Sequence, residues 1–301
     1  MIQNTVELNQ QFGIKDQLQF NQEVEGFVMV DISNQFANAR ISTYAGQVIS
    51  FQPRHTEEDV LFLSDKALYQ DGKAIRGGAP ICWPWFGDDT SGFGRPSHGF
   101  VRNQPWSILA TQSLEDGRSS VTLGLTETDS SLAVWPYQFE LELEVIVGTE
   151  LEIKLTTKNT GRNAFVISQA LHTYFNISDV SNIAISGLDS KNYLDKLEGF
   201  KEKPQRGDVT FTEETDRVYQ QAPESVWLKD KGFNRTINIK SSGSNTTVIW
   251  NPWSTSVTKI TDLDESKYRN FVCIETANAA DDIVTIQAKN EHVISAIYEI
   301  I

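Results

Sequence analysis

The sequence has little of what would mark a secreted, membrane or redox protein. Its 301 residues include only two cysteines, Cys82 and Cys273, and neither belongs to a CxxC pair. We therefore expect two reduced, buried thiols rather than a disulfide framework. No apolar run approaches the ~18 residues of a membrane-spanning helix. The N-terminal segment also lacks the basic start and apolar core of a signal peptide. These absences predict a cytoplasmic protein.

An excess of positive charge is also missing. The formal net charge is −14, which argues against a nucleic-acid partner or an anionic membrane surface, since both attract basic proteins. We expect neither partner. A small anionic ligand remains compatible with this charge, because a local group of arginines can invert the field.

Motifs for a cofactor, a metal or a nucleophilic serine are absent as well. The glycines of residues 92–99 have no strand-to-helix context, so they do not resemble a phosphate-cradling loop. There is no GxSxG sequence, and no group of His, Cys and Asp has metal-ligand spacing. We therefore expect neither a cofactor nor a metal.

What the chain does contain is a succession of short β-branched runs separated by Gly, Asn or Pro. Turn signals recur every 8 to 12 residues, as is typical of a β-sandwich. Residues 139–148 and 150–161 alternate apolar and charged side chains and predict a long hairpin with one buried face. Residues 164–177 predict a single strand, with His172 at the end of its first apolar run. Residues 262–271 are the main helix candidate.

This pattern predicts an all-β fold. We expect a large antiparallel β-sandwich with few short helices. One domain should span residues 1–301, and residues 1–25 should form a lead-in segment that begins as a short strand or helix.

A loop at residues 76–106 interrupts the strands. It contains three tryptophans, four prolines and a histidine. A loop of this length is usually functional or disordered, and disordered segments contain few aromatics. We interpret it as an ordered, aromatic-lined wall of a pocket, with Arg76, Arg95, Arg102 and His98 as its polar groups.

Two ionisable residues stand at the ends of apolar runs. His172 follows residues 164–171, and Glu275 follows residues 271–274. His172 is either a hydrogen-bonded core histidine or a general acid or base, because its ordinary pKa suits proton transfer near neutrality. Glu275 is either paired with an arginine or held in a cleft, since a glutamate is almost never buried unpaired.

The residues that could bind a ligand also have plain structural interpretations. Arg76 and Arg102 could form surface salt bridges, or they could clamp a phosphate with bidentate hydrogen bonds. The tryptophans Trp83, Trp85, Trp250 and Trp253 could be core residues or could stack on the apolar face of a sugar.

Six segments, in order, carry a resemblance to a known family: RGGAPICWPWFG, SHGFVRNQPW, LHTYFNI, TDRVY, IWNPW and FVCIETAN. Together they resemble the glucose-6-phosphate 1-epimerase family, which comprises hexose-6-phosphate mutarotases within the aldose 1-epimerase superfamily. The resemblance covers residues 26–301. Any one segment would be weak, but six in the same order are specific. The family's large antiparallel β-sandwich agrees with the strand pattern.

The resemblance implies a reaction and a set of site residues. The reaction is interconversion of the α and β anomers of a hexose 6-phosphate, with glucose 6-phosphate expected, in a monomer or weak dimer without a cofactor. His172 and Glu275 match the catalytic residues. The implied substrate-binding residues are Arg76, Ser97, His98, Arg102 and Asp216. Ser97 stands where some members carry a glutamine.

Other functions remain open at this stage. A mutarotase for unphosphorylated aldoses would not need the paired arginines. A non-catalytic carbohydrate-binding module would not need both His172 and Glu275. A glycoside hydrolase or lyase is less favoured, because hydrolases usually use two carboxylates.

Overall fold

The computed structural model describes residues 4–24, 26–89 and 91–301, and most of this part of the chain is built from strands. The strands are β1 (Leu18–Val24), β2 (Phe27–Ser33), β3 (Ala37–Ser42), β4 (Gln47–Pro53), β5 (Ile81–Cys82), β6 (Ser107–Ser113), β7 (Ser119–Thr126), β8 (Phe139–Val147), β9 (Glu150–Asn159), β10 (Phe165–Ile167), β11 (Gln169–Leu171), β12 (Tyr174–Asn176), β13 (Ile183–Ser186), β14 (Asn192–Asp195), β15 (Lys201–Pro204), β16 (Thr215–Gln220), β17 (Ser225–Asp230), β18 (Arg235–Ser242), β19 (Thr246–Asn251), β20 (Phe271–Asn278), β21 (Val284–Ile286) and β22 (Glu291–Ile300).

Helices are short and few in the same part of the chain. The α-helices are α1 (Thr5–Phe12), α2 (Asp129–Val134) and α3 (Trp253–Ser256). The 3-10 helices are Val101–Asn103, Val180–Asn182, Lys196–Glu198, Val257–Lys259 and Glu265–Asn270. None of these helices is long and apolar enough to cross a membrane.

Two large antiparallel sheets form the body of the fold. One has the order β15-β14-β16-β19-β20-β11-β5, with β12 also paired to β20. The other has the order β13-β17-β18-β22-β9-β8-β7-β6. They pack against each other through a shared apolar core. At its centre the rings of Phe175 and Tyr298 meet with centroids 5.0 Å apart. The predicted antiparallel β-sandwich is confirmed.

Period-two patterning explains the second sheet. In β8 burial alternates strictly: every second residue from Phe139 to Val147 is apolar and buried, while the three glutamates and Ile146 between them are partly exposed. β9 pairs with it in register from Phe139↔Asn159 to Val147↔Leu151. Because alternate side chains point to opposite faces of a strand, this pattern buries one face of the hairpin against the other sheet. The predicted hairpin is confirmed.

The single strand predicted at residues 164–177 is wrong. This segment is divided into β10, β11 and β12, which pair with β21, with β5 and β20, and with β20 respectively. Between them the backbone bonds to the long loop instead. Ser168 N–H donates to the carbonyl of Pro84 and His172 N–H to that of Pro80. These loop carbonyls compete with neighbouring strands for the backbone N–H groups and so interrupt the strand pairing. Strand propensity does not predict this interruption.

Other local predictions are also corrected. The predicted helix at residues 262–271 is a 3-10 helix over Glu265–Asn270, which Asp264 caps by accepting a hydrogen bond from Ser266 N–H. The apolar run of residues 60–63 does not form a strand and makes only isolated bridges, from Leu61 and Leu63.

The lead-in segment contains both a helix, α1, and a strand, β1, while residues 1–3 and 25 lie outside the described residues. Cys82 and Cys273 are both free and buried, as expected.

Candidate active site

Strand register brings His172 opposite Glu275. In the pairing of β11 with β20, Leu171 faces Thr276, and beyond the break Tyr174 faces Cys273. The same register places His172 beside Glu275. Glu275 ends an apolar run in the sequence but not a strand, because it lies in the middle of β20. Its side chain shares a face with Cys273 and Ala277, opposite to the face that carries Ile274 into the sandwich core.

The two side chains form a close, buried pair. His172 Nε2 lies 3.3 Å from Glu275 Oε1, with 7% of His172 and 1% of Glu275 exposed. Within the described residues, neither Nδ1 of His172 nor Oε2 of Glu275 has a hydrogen-bond partner. Buried polar atoms are normally satisfied, so two such atoms in one pair are free to bind a ligand.

Burial favours the neutral form of both groups. Desolvation, followed by the charge of Arg102, lowers the pKa of His172 to about 3. Desolvation, followed by repulsion from Asp216, raises the pKa of Glu275 well above its ordinary value. In the structure the low-dielectric surroundings oppose the charged form of both groups.

The long loop covers this pair. His98 has a left-handed backbone (φ 65°) and exchanges hydrogen bonds with Gly87: its N–H donates to the Gly87 carbonyl and its Nδ1 accepts from the Gly87 N–H. This places the His98 ring edge-to-face on His172, with centroids 5.4 Å apart. Burial lowers the pKa of His98 well below its ordinary value. A neutral ring that accepts at Nδ1 carries its proton at Nε2.

Both predicted arginines line the same cavity. Arg76 donates from Nε to Asp262 Oδ1 (3.1 Å) and from Nη1 to the hydroxyl of Tyr174 (3.0 Å). Its pKa is raised, chiefly by the charge interaction with Tyr174 and then by Asp262. Arg102 donates from Nη2 to the Ser97 carbonyl (3.1 Å), while its buried Nε has no partner among the described residues. No carboxylate of the described chain pairs with Arg102, so its charge is available.

Asp216 lies across the sheet from His172 and Glu275. It is in β16, which pairs with β19, and β19 pairs with β20. Its Oδ2 accepts from Lys196 Nζ at 2.8 Å. Desolvation raises its pKa and the charge of Lys196 opposes that effect. Asp216 is therefore held in the wall of the cavity by a lysine that sequence analysis did not identify.

Two residues of the long loop do not reach the cavity. Ser97 is exposed, and its hydroxyl donates to Asp88 Oδ1 at 2.6 Å. Ser97 contributes to the site only through its backbone carbonyl, which accepts the hydrogen bond from Arg102. Arg95 is bound to Asp89 at 2.7 Å and lies over the ring of Trp85, 4.1 Å from its centroid. The structure thus separates these two residues from His98 and Arg102.

The cavity has a volume of about 240 Å³. Its walls are formed by Arg76, Phe86, His98, Arg102, His172, Tyr174, Lys196, Asp216, Val248, Trp250, Ile260 and Glu275. A larger, open hollow of about 550 Å³ adjoins it through Asp216, but no histidine lines that hollow. We assign the chemistry to the smaller cavity because it holds His172 and Glu275 beside the cationic groups, and each of the two has one atom without a hydrogen-bond partner in the described chain.

Sequence analysis missed Tyr174, Lys196 and Asp262. Tyr174 had a signal, since it follows His172 at the spacing that returns a strand side chain to the same face. Lys196 and Asp262 had none, because each is distant in sequence from its partner.

One group of metal-ligand atoms occurs among the described residues. Donor atoms of His172, Cys273 and Glu275 lie within 4.8 Å of one another. These types are suitable zinc ligands. The same cavity is lined by three cationic side chains, Arg76, Arg102 and Lys196. Their positive charges disfavour the binding of a metal ion there.

Comparison with known sequences gives a consistent result. The family model for aldose 1-epimerase matches residues 29–299. A protein of Escherichia coli strain K12 provisionally named a glucose-6-phosphate 1-epimerase is 33% identical over 89% of this chain and 89% of its own. A protein of Cenchrus ciliaris with the same provisional name is 36% identical over 84% of this chain and 78% of its own.

Solved structures show the same architecture. YeaD of Salmonella typhimurium, provisionally named a mutarotase, superposes with a TM-score of 0.88 at 30% identity, covering 96% of this chain and 95% of its own. A galactose mutarotase related enzyme of Lactobacillus acidophilus gives a TM-score of 0.73 at 15% identity, covering 90% of this chain and 96% of its own. At that identity the second likeness concerns the fold alone.

Proposed function

This chain belongs to the aldose 1-epimerase family and is an isomerase, and we propose that it interconverts the α and β anomers of a hexose 6-phosphate, with glucose 6-phosphate as the expected substrate. The observation that carries the proposal is the buried His172–Glu275 pair beneath a cavity lined by Arg76 and Arg102. An acid–base pair suits ring opening, and adjacent cations suit a phosphate.

The proposed reaction needs one group that accepts a proton and one that donates a proton. Glu275, as a carboxylate, takes the proton from the anomeric hydroxyl, and His172 donates one to the ring oxygen as the bond between that oxygen and the anomeric carbon breaks. Rotation beside the resulting aldehyde presents its other face. Reclosure returns both protons and forms the other anomer.

The protonation state of the free pair determines what substrate binding must do. Burial favours the neutral form of both groups in the free protein. The mechanism needs Glu275 as a carboxylate and His172 as an imidazolium, and at a separation of 3.3 Å these opposite charges stabilise each other. Each group contributes about 10²–10⁴ to the rate by positioned proton transfer.

The phosphate supplies orientation without entering the chemistry. Arg102 has no carboxylate partner in the described chain, and Arg76 is held in place by Asp262 and Tyr174. Anchoring one end of the sugar phosphate positions the anomeric carbon over the catalytic pair, which lowers the entropic part of the barrier. We expect His98 and Asp216, which line the cavity, to contact the sugar, and Ser97 to act only through the hydrogen bond that its carbonyl accepts from Arg102.

The setting of this activity is also part of the proposal. We expect one domain that acts in the cytoplasm on a small sugar phosphate, as a monomer or weak dimer. We expect no nucleic-acid partner and no membrane partner.

Exchange spectroscopy of the anomeric protons tests the proposed reaction directly. We expect the protein to accelerate exchange for glucose 6-phosphate far more than for glucose or galactose. Equal acceleration for all three sugars would favour a mutarotase for unphosphorylated aldoses. No acceleration for any sugar would reject the enzyme and leave a carbohydrate-binding module.

The phosphate site has its own test. Arg102→Met should lower kcat/KM for glucose 6-phosphate by about 10- to 100-fold, because hydrogen bonds to charged groups contribute about 1.5–3 kcal/mol. Arg162→Met is the matched control, since Arg162 is exposed and does not line the cavity. An Arg102 variant with unchanged kcat/KM would contradict the phosphate assignment.

A further inference from the structure

Lys196 brings a third positive charge to the cavity. It lines the same walls as Arg76 and Arg102. We propose that Lys196 binds the phosphate of the substrate directly, and that in the free enzyme Asp216 holds its ammonium group ready. This inference rests on the proposed function and names a specificity residue for that site.

Strand register explains why Lys196 meets Asp216. In the pairing of β14 with β16, Leu194 faces Val218 and Asp195 faces Arg217. One more step in this antiparallel register places Lys196 beside Asp216, although they are twenty positions apart in sequence. The distance of 2.8 Å between Nζ and Oδ2 is that of a charge-assisted hydrogen bond.

The backbone around Lys196 is held by residues other than Lys196. Asp195 accepts a hydrogen bond from Leu197 N–H. Lys203 Nζ lies 2.7 Å from Asp195 Oδ2 and also pairs with Glu198. The 3-10 turn therefore keeps its shape when the Lys196 side chain changes partner. The side chain of Lys196 is about one-third exposed, at 31%, so its ammonium group has room to move.

The charge of the ligand makes a third cation useful. A phosphomonoester carries about −1.5 to −2 at neutral pH. Arg76 already faces Asp262, so that pair adds little net charge, and Arg102 alone adds one positive charge. Lys196, once drawn from Asp216 to the phosphate, supplies the second. The same movement frees the Asp216 carboxylate to accept hydrogen bonds from sugar hydroxyls.

A purely structural role for Lys196 is the competing explanation. Lys196 would then only neutralise Asp216, and its removal would weaken phosphate binding through the exposed negative charge of Asp216. The two explanations differ in the double variant Lys196→Met/Asp216→Asn, which removes both charges. Direct contact predicts that phosphate binding stays weak in this variant. Neutralisation predicts that it returns to the wild-type value.

The test uses the dissociation constant of inorganic phosphate, measured by ³¹P NMR titration of the full chain. We expect Lys196→Met to raise this constant by about 10- to 100-fold, as for a lost hydrogen bond to a charged group, and the double variant to remain weakened. Lys201→Met is the matched control, because Lys201 lies in the same hairpin with its side chain 67% exposed. An unchanged constant in Lys196→Met, or a restored one in the double variant, would overturn the proposal.

A kinetic measurement separates this inference from the proposed function. If the wild type accelerates exchange of glucose 6-phosphate, Lys196→Met should lower kcat/KM for that substrate by a larger factor than for glucose. Equal losses with both sugars would assign Lys196 to the sugar ring and overturn the proposal. A wild type with no activity on hexose phosphates would reject the proposed function, while the phosphate titration still decides whether Lys196 binds the anion.

Discussion

Replacing Glu275 with glutamine should abolish catalysis. The variant should also become more stable, relative to the wild type, as pH rises. Glu275 is 1% exposed, its Oε2 has no partner in the described chain, and burial raises its pKa well above the ordinary value. A raised pKa means that the folded protein binds this proton more tightly than the unfolded chain does. The resulting stability is fully present below the unfolded pKa and is lost as pH rises toward the folded pKa.

The size of the effect follows from the linkage relation. Each pH unit between the unfolded and folded pKa values of Glu275 costs the wild type about 1.4 kcal/mol. With an unfolding entropy of about 2.1 cal/mol/K per residue, this corresponds to about 2 °C in Tm for a chain of 301 residues. The glutamine variant has no carboxyl proton at this position and escapes the loss.

Calorimetry of both proteins across pH 4 to 8 measures this difference. The Tm of Glu275→Gln relative to wild type should increase with pH by about 2 °C per unit until the folded pKa is passed. Glu299→Gln is the control, because Lys240 holds the pKa of Glu299 below its ordinary value. Its Tm difference should change in the opposite sense, and only weakly, since solvent reaches both partly exposed side chains and screens their interaction. A Tm difference for Glu275→Gln that is the same at every pH would refute the desolvation argument.

Three further predictions concern the catalytic pair and its supports. His172→Asn should lower the exchange rate for glucose 6-phosphate by about 10²–10⁴, and an unchanged rate would remove His172 from the mechanism. Gly99→Ala should cost about 3 kcal/mol or more in urea unfolding, because φ is 75° and an added Cβ would lie 1.8 Å from the Trp83 carbonyl oxygen. Gly92→Ala, with φ 77° and open space around it, should cost only about 1–2 kcal/mol, and equal losses would contradict the steric argument. Tyr298→Phe breaks the buried 2.6 Å hydrogen bond to Thr173 and should cost about 1–3 kcal/mol without slowing catalysis; a slowed reaction would show that this bond positions His172.

Local patterning predicted much of the framework. The alternation in β8 and β9 identified the hairpin and its buried face, because side-chain direction along a strand depends only on the period of two. The same reasoning failed for residues 164–177, where loop carbonyls from Pro80 and Pro84 compete with the strand ladder. The 3-10 geometry of Glu265–Asn270 was missed for a similar reason, since a cap and polar residues do not distinguish it from an α-helix.

The sequence by itself determined which side chains could carry the chemistry, while the tertiary structure decided which of them meet. Apolar runs ending in His172 and Glu275 marked two ionisable groups in a core, and the resemblance marked the arginines. Only the register of β11 on β20 brought His172 to 3.3 Å from Glu275, and only that of β14 on β16 brought Lys196 to Asp216. The same folding left Ser97 outside the cavity. For strands that are not joined by a tight turn, the register depends on contacts between residues far apart in the chain. The local sequence pattern of either strand therefore does not determine which residues face each other.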